Sequence, residues 1–275
     1  MKSRVAGSSG LPHPCPVMSR RQSPIRSPSR EPARRVGVAR LMSKRGLCSR
    51  SEAAKLVLAR RVRVNGRLID DPEHPCDEHA DRIVVDGETT TAAEPVYLML
   101  NKPRGLVCTA RDERGRDTVY RCFDGALLGQ QPLPWIAPVG RLDKASEGLL
   151  LFSNDPEWAA RITDPETGPD KTYHVQIDTV ADDDLLLALR AGVREDGEWL
   201  AAKSARILRH GGKTSWLEII LDEGRNRQIR RLVDACGFKV LRLVRVAIGE
   251  LLLGEIPKGG WRELNMCEVR KLGGD

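Results

Sequence analysis

The chain has 275 residues, 40% hydrophobic and 30% charged, a balance that fits a globular protein with room for one catalytic domain and a small accessory one. No apolar run approaches the roughly 18 residues that span a bilayer; the seven cysteines (Cys15, Cys48, Cys76, Cys108, Cys122, Cys236, Cys267) lack a C-x-x-C pair, so reduced thiols in a cytoplasm are expected rather than zinc, redox or disulfide chemistry. The net charge of +7 is carried by residues 1–35, which hold eight Lys or Arg against the single acid Glu31, so a nucleic-acid reading of the rest depends on where charge is concentrated.

Residues 1–35 are rich in Pro, Ser and Arg and poor in large apolar residues, the composition of a disordered tail. Pro12, Pro14, Pro16, Pro24, Pro28 and Pro32 oppose the amphipathic helix of an organelle-import leader. Residues 36–67 then carry nine Lys or Arg against one acid, Glu52. Here Val36, Ala39, Leu41 and Met42 have the spacing of a short amphipathic helix. Ser49 and Glu52 form a capping box that opens a second helix burying Ala53, Leu56 and Val57. Val62 and Val64 alternate into Asn65-Gly66, a hairpin turn, and residues 82–85 supply a return strand.

Beyond a linker at residues 92–95 the pattern turns mixed. Apolar strands are expected at residues 96–100, 148–152, 173–177, 216–221 and 240–248, and helices at 156–162, 182–191 and 226–236, the last ending near Gly237. Strands dominate, so the fold class is α+β, with a mostly antiparallel mixed sheet in the second domain. Gly212-Lys213-Thr214 imitates the end of a P-loop, but the motif's first glycine would fall at Ile207, and the segment reads as a hairpin turn.

Three strings carry the chemistry: NKPRGLVCT at 101–109, PVGRLDKASEGLLLFSND at 138–155 with KTYHVQI downstream, and EGRNRQIRRLVDACGFKVLRLVRVAIG at 223–249. In this order they resemble the pseudouridine synthases that modify small- and large-subunit ribosomal RNA. The stretch LCSRSEAAKLVLARRVRVNGR, within its helix, helix, hairpin frame, resembles the S4-like RNA-binding domain. The implied organisation is a tail over 1–35, an S4-like domain over 36–92 and a catalytic domain over 96–268.

The resemblance implies isomerisation of a uridine in ribosomal RNA with no cofactor and no metal. It puts the catalytic carboxylate on Asp143, as nucleophile or base, pairs it with Arg230, and gives Tyr173 the target base to stack on. Arg141 would help hold the flipped nucleotide open. Arg225, Arg227 and Arg231 are phosphate candidates, as are Arg40, Lys44, Arg45, Arg50, Lys55, Arg60 and Arg61 on the front domain. The expected partner is ribosomal RNA or a ribosome assembly intermediate, bound by a cytoplasmic monomer, with no membrane. TSWLEIILDEGRNRQIRR and the terminal WREL look most like large-subunit enzymes that lack the front domain. The alternative, a non-catalytic RNA-binding or assembly protein, is opposed by the presence of Asp143, Tyr173 and Arg230 together. A glycoside hydrolase would need a carboxylate pair.

Overall fold

The computed structural model describes residues 35–90, 93–110 and 112–273. The expected tail lies outside them, apart from Arg35. The front module runs β1 (Arg35–Gly37), α1 (Val38–Lys44), α2 (Arg50–Leu58), β2 (Val62–Val64), β3 (Arg67–Ile69), β4 (Pro75–Asp77), β5 (Ile83–Val85) and β6 (Glu88–Thr89). The first helix starts two residues later than its apolar spacing suggests, because Val36 is drawn into β1 and pairs with Cys76 of β4. Ser49 caps α2 by accepting the Glu52 N–H at 3.1 Å. The Glu52 carboxylate turns to Lys55 at 3.6 Å instead of reaching back, so only half of the capping box forms. Asn65 and Gly66 both have positive φ, 49° and 84°, which turns β2 into β3 with the twist a two-residue hairpin needs. Val38, Leu41, Met42, Ala53, Val57, Val62 and Ile83 close a core of their own.

The second module runs β7 (Tyr97–Lys102), β8 (Leu127–Leu128), β9 (Gln131–Pro132), β10 (Ala137–Val139), β11 (Glu147–Ser153), α3 (Pro156–Thr163), β12 (Lys171–Ile177) and α4 (Asp183–Ala191). It continues with β13 (Val193–Glu195), β14 (Glu198–Leu200), β15 (Ser204–His210), β16 (Ser215–Leu221), α5 (Gln228–Ala235), β17 (Val240–Ile248), β18 (Leu251–Leu252), β19 (Trp261–Glu263) and α6 (Met266–Gly273). Among the described residues nine strands form one sheet, whose main path is β15-β16-β12-β17-β11-β7-β19. Its pairings are antiparallel except β11 with β17. The class is α+β, as the strand-rich pattern predicts.

Both faces of this sheet are used. Tyr173, Val175 and Ile177 alternate inward with Leu217, Ile219 and Leu221 and pack with Leu185, Leu189, Ile229 and Leu232 of α4 and α5. On the opposite side Met99, Leu149 and Leu151 pack with Trp158, Ile162, Val269 and Leu272 of α3 and α6. Asp155 caps α3, accepting the Glu157 and Trp158 N–H groups at 2.9 and 3.0 Å with Pro156 in the first turn. The parallel contact depends on Gly148, since a Cβ there would lie 2.3 Å from the Arg245 carbonyl oxygen. Only glycine lets β11 and β17 approach so closely.

The modules are joined through backbone. Ala93 N–H donates to the Arg45 carbonyl at 3.0 Å and Trp135 N–H to the Gly46 carbonyl at 3.1 Å. Asn154 accepts from Val96 N–H at 2.7 Å and donates to the Glu94 carbonyl at 2.9 Å. A Cβ on Gly46 would crowd that same Asn154 amide at 3.1 Å, in a backbone already at φ +69°. No helix among the described residues is long and apolar enough to cross a membrane.

Candidate active site

The loop between β10 and β11 carries Asp143, and its turn is closed by Ser146 N–H donating to the Asp143 carbonyl at 3.0 Å. Beneath the loop Lys102, at the end of β7, is wholly buried and has no carboxylate partner among the described residues. Its ammonium donates to three carbonyls, those of Pro103 at 3.0 Å, Asp143 at 3.2 Å and Ser146 at 2.8 Å. Three N–H bonds meet three acceptors, which saturates the charged form. Burial pushes the Lys102 pKa down, while Cys108, Asp143, Cys122 and Glu147 pull the other way.

The Asp143 side chain is one-third exposed and faces two guanidiniums, Arg227 Nη1 at 3.8 Å and Arg230 Nε at 3.9 Å. Arg230 is the more buried of the two and is aimed by the carbonyls of Val240 at 3.2 Å and Ala145 at 3.3 Å. Burial lowers its pKa, Arg227 and Arg104 add to that, and Asp143 opposes them. Arg227 adopts left-handed φ of 50° just before α5. That conformation starts α5 two residues later than expected and is uncommon for a non-glycine residue. Gln228, buried, steadies this corner by donating to Glu223 at 2.6 Å and the Ala201 carbonyl at 3.1 Å.

Asp143, Tyr173, Arg230, Arg141, Arg225 and Arg227 all line one cavity of about 200 Å³. Tyr173, 8% exposed, lies in its sheet floor, between Ile219 and Arg245 in register. Arg141 is exposed at the rim, with no hydrogen-bonding or ion-pairing partner among the described residues. Arg225 bonds Glu223 at 2.7 Å and stays half exposed. Arg231 departs from its expected role. Its guanidinium is taken by Glu195 and Glu198, each at 2.6 Å, and it ties α5 to the β13–β14 hairpin instead of lining the cavity.

On the front module the expected phosphate ligands divide. Lys44 pairs with Glu78 at 2.8 Å and reaches Glu157 at 3.7 Å, and Arg45 donates to the carbonyls of Glu78 and Asp81 at 2.8 and 2.9 Å. These two are committed to structure. Arg50, Lys55, Arg60 and Arg61 pair with Glu73, Glu52, Asp70 and Asp86 in solvent, and Arg40 is exposed without such a partner among the described residues.

Pattern reading passes over Lys102, Ser146, Lys171 and Arg245. The last had a signal, because in β17 it falls on the inward phase with Leu243 and Ala247, where an ordinary strand carries an apolar residue. Lys102 had none beyond its place in the first string.

A sequence model of the RNA pseudouridylate synthase family matches residues 96–235, and one of the S4 domain matches residues 37–83. A protein of Aquifex aeolicus (strain VF5) named an uncharacterized RNA pseudouridine synthase is 35% identical over 237 residues, 86% of this chain and 93% of that protein. Ribosomal large subunit pseudouridine synthase B of Bacillus subtilis (strain 168) is 36% identical over 229 residues, 82% of this chain and 91% of that protein. This match is longer than the second module and so extends into the front one, unlike the large-subunit enzymes without a front domain that the catalytic strings suggest. Among solved structures, a crystal structure of a pseudouridylate synthase superposes with a TM-score of 0.58 at 31% identity, covering 86% of this chain and 99% of the other. With a family model matched over half of the chain and relatives at 35–36% identity matched over most of its length, the chain belongs to the RNA pseudouridine synthase family.

Proposed function

We propose that this enzyme isomerises one uridine of ribosomal RNA, in the large subunit, in the cytoplasm and without a cofactor. The observation that carries the reading is the Asp143 carboxylate, which faces Arg227 and Arg230 in a cavity floored by Tyr173. In the reaction the bond between C1′ and N1 breaks, the base turns, and C1′ rebonds to C5. C5 loses a proton and N1 gains one. One bond replaces another within the nucleotide, so no redox partner enters. Asp143 acts at the ribose, bonding C1′ or taking the C2′ proton. The guanidiniums of Arg227 and Arg230 hold it in place by charge. Tyr173 stacks on the flipped base, Arg141 at the rim holds the vacated stack open, and Arg225 meets flanking phosphate.

The B. subtilis relative named for the large ribosomal subunit favours that RNA, and the front module suits a duplex region of it. The test is a map of pseudouridines in ribosomal RNA from cells with and without this protein. Loss of one large-subunit position is expected. A small-subunit position would reassign the substrate, and an unchanged ribosomal map would overturn the proposal.

A further inference from the structure

Among the described residues three buried side-chain polar atoms make no hydrogen bond within the protein: Ser146 Oγ, Arg230 Nε and Arg245 Nη2. All three residues line the one cavity. Arg230 Nε has Asp143 opposite it at 3.9 Å. The other two are unexplained by the reading above. Arg245 is 5% exposed, and its Nε donates to the Leu149 carbonyl at 2.7 Å. No carboxylate among the described residues pairs with it. Two residues before Tyr173, on the same inward phase of β12, Lys171 also lines the cavity and has no hydrogen-bonding or ion-pairing partner among those residues. Burial first and the charge of Arg245 second push the Lys171 pKa down, against weaker pulls from Asp170, Asp222 and Asp164.

Two unpaired cations held in a protein wall are unfavourable unless something anionic or strongly dipolar completes them. We infer that Arg245, Lys171 and the Ser146 hydroxyl form the leaving-group subsite, holding the carbonyl oxygens of the target uracil and stabilising its negative charge when the C1′–N1 bond breaks. This rests on the reading of the cavity as the pseudouridine site. When that bond breaks its electron pair departs with the base, which becomes a uracil anion with charge spread onto its carbonyl oxygens. Asp143 meanwhile bonds C1′ or takes the C2′ proton. Donors fixed beforehand at the place where charge develops lower the barrier without having to reorganise.

Position favours the base over a phosphate as the occupant. Arg245 is the register neighbour of Tyr173 and lines the same cavity, so a base stacked on that ring would lie within the wall that Arg245 forms. A phosphate would remain at the mouth, where Arg141, Arg225 and Arg227 are exposed.

The test uses the full chain and an RNA fragment carrying the mapped uridine, assayed in single turnover at saturating protein. Arg245→Met should slow isomerisation roughly 10²–10³-fold, with RNA Kd within about threefold, and Arg245→Lys should recover part of the rate. Lys171→Met, at a half-buried position, should lose roughly tenfold or more on the same ground; it keeps the test open if Arg245→Met does not fold. The same variants are then assayed on RNA with 2-thiouridine or 4-thiouridine at the target, because sulfur accepts hydrogen bonds poorly. Where the held oxygen has been replaced, the penalty of each variant should shrink. Equal penalties on all three bases, or full rates in both methionine variants, would overturn the inference. So would a loss confined to Kd with a flatter salt dependence, which marks a phosphate contact. A wild-type chain inert on every ribosomal uridine would instead overturn the functional reading beneath it.

Discussion

Asp143 presents one carboxylate oxygen to two guanidiniums at nearly equal distance, but the two are held differently: Arg230 by the carbonyls of Val240 and Ala145, Arg227 by a strained backbone at the start of α5. Asp143→Asn keeps the shape and can neither bond C1′ nor accept a proton. Turnover should fall below detection while RNA Kd stays within a few fold, measured by tritium release from C5 and by filter binding. Near-normal turnover would remove Asp143 from the mechanism. Tyr173→Phe keeps the ring and should keep most of the binding, whereas Tyr173→Ala should lose about 1–3 kcal/mol of stacking in RNA affinity. If the two variants bind alike, Tyr173 serves only the core. That Asp143, Tyr173 and Arg230 share one cavity was legible because each stands in a string whose neighbours are fixed. Arg231 was misread because charge in a sequence does not reveal its counter-charge: Glu195 and Glu198 lie more than thirty residues away and reach it only once the hairpin folds back.

The elements show the same division between local and distant causes. The strands at residues 148–152, 173–177, 216–221 and 240–248 were readable from apolar runs and alternation, and Asn65-Gly66 from its turn chemistry. The β13–β14 hairpin and β18 were not, since polar residues and two- or three-residue strands leave no periodicity. Nor could local pattern announce the parallel pairing of β11 with β17, a tertiary event that Gly148 permits. The loop that carries Asp143 is tied to β7 by Lys102. Replacing it by Met takes the donor from the Pro103 and Ser146 carbonyls and leaves the Asp143 carbonyl only its bond from the Ser146 N–H, which should cost about 2–3 kcal/mol of stability, read as a lower urea midpoint. Because those carbonyls belong to Pro103, Asp143 and Ser146, Lys102→Met should also slow single turnover at least tenfold with RNA affinity preserved. A stable variant of normal rate would show that the loop is held by its turn alone.

On the scale of the whole molecule, the excess charge of residues 1–35 lies outside the described residues except for Arg35, and the front module pairs Lys44, Arg50, Lys55, Arg60 and Arg61 with carboxylates of its own. The pairs of Arg50, Arg60 and Arg61 are exposed, and exposed pairs contribute little and exchange readily for phosphate. Arg50→Ala, Arg60→Ala and Arg61→Ala should therefore each lower the slope of log Kd against log salt by about 0.7–0.9. Lys44→Ala should leave the slope alone and lower the melting temperature, because Lys44 is tied to Glu78 and reaches Glu157 of the second module. An unchanged slope in all of the arginine variants would turn the front module into a docking surface for protein. The junction between the modules has a further consequence. Ala93 bonded to Arg45, Trp135 to Gly46, and Asn154 wedged beside that glycine tie the basic surface to the module that holds the cavity, so on the proposed function the protein would work as a calliper of fixed span. It would choose its uridine by distance along the RNA more than by the letters around it. One or two base pairs inserted between the gripped helix and the target would leave binding almost unchanged and carry the uridine out of reach.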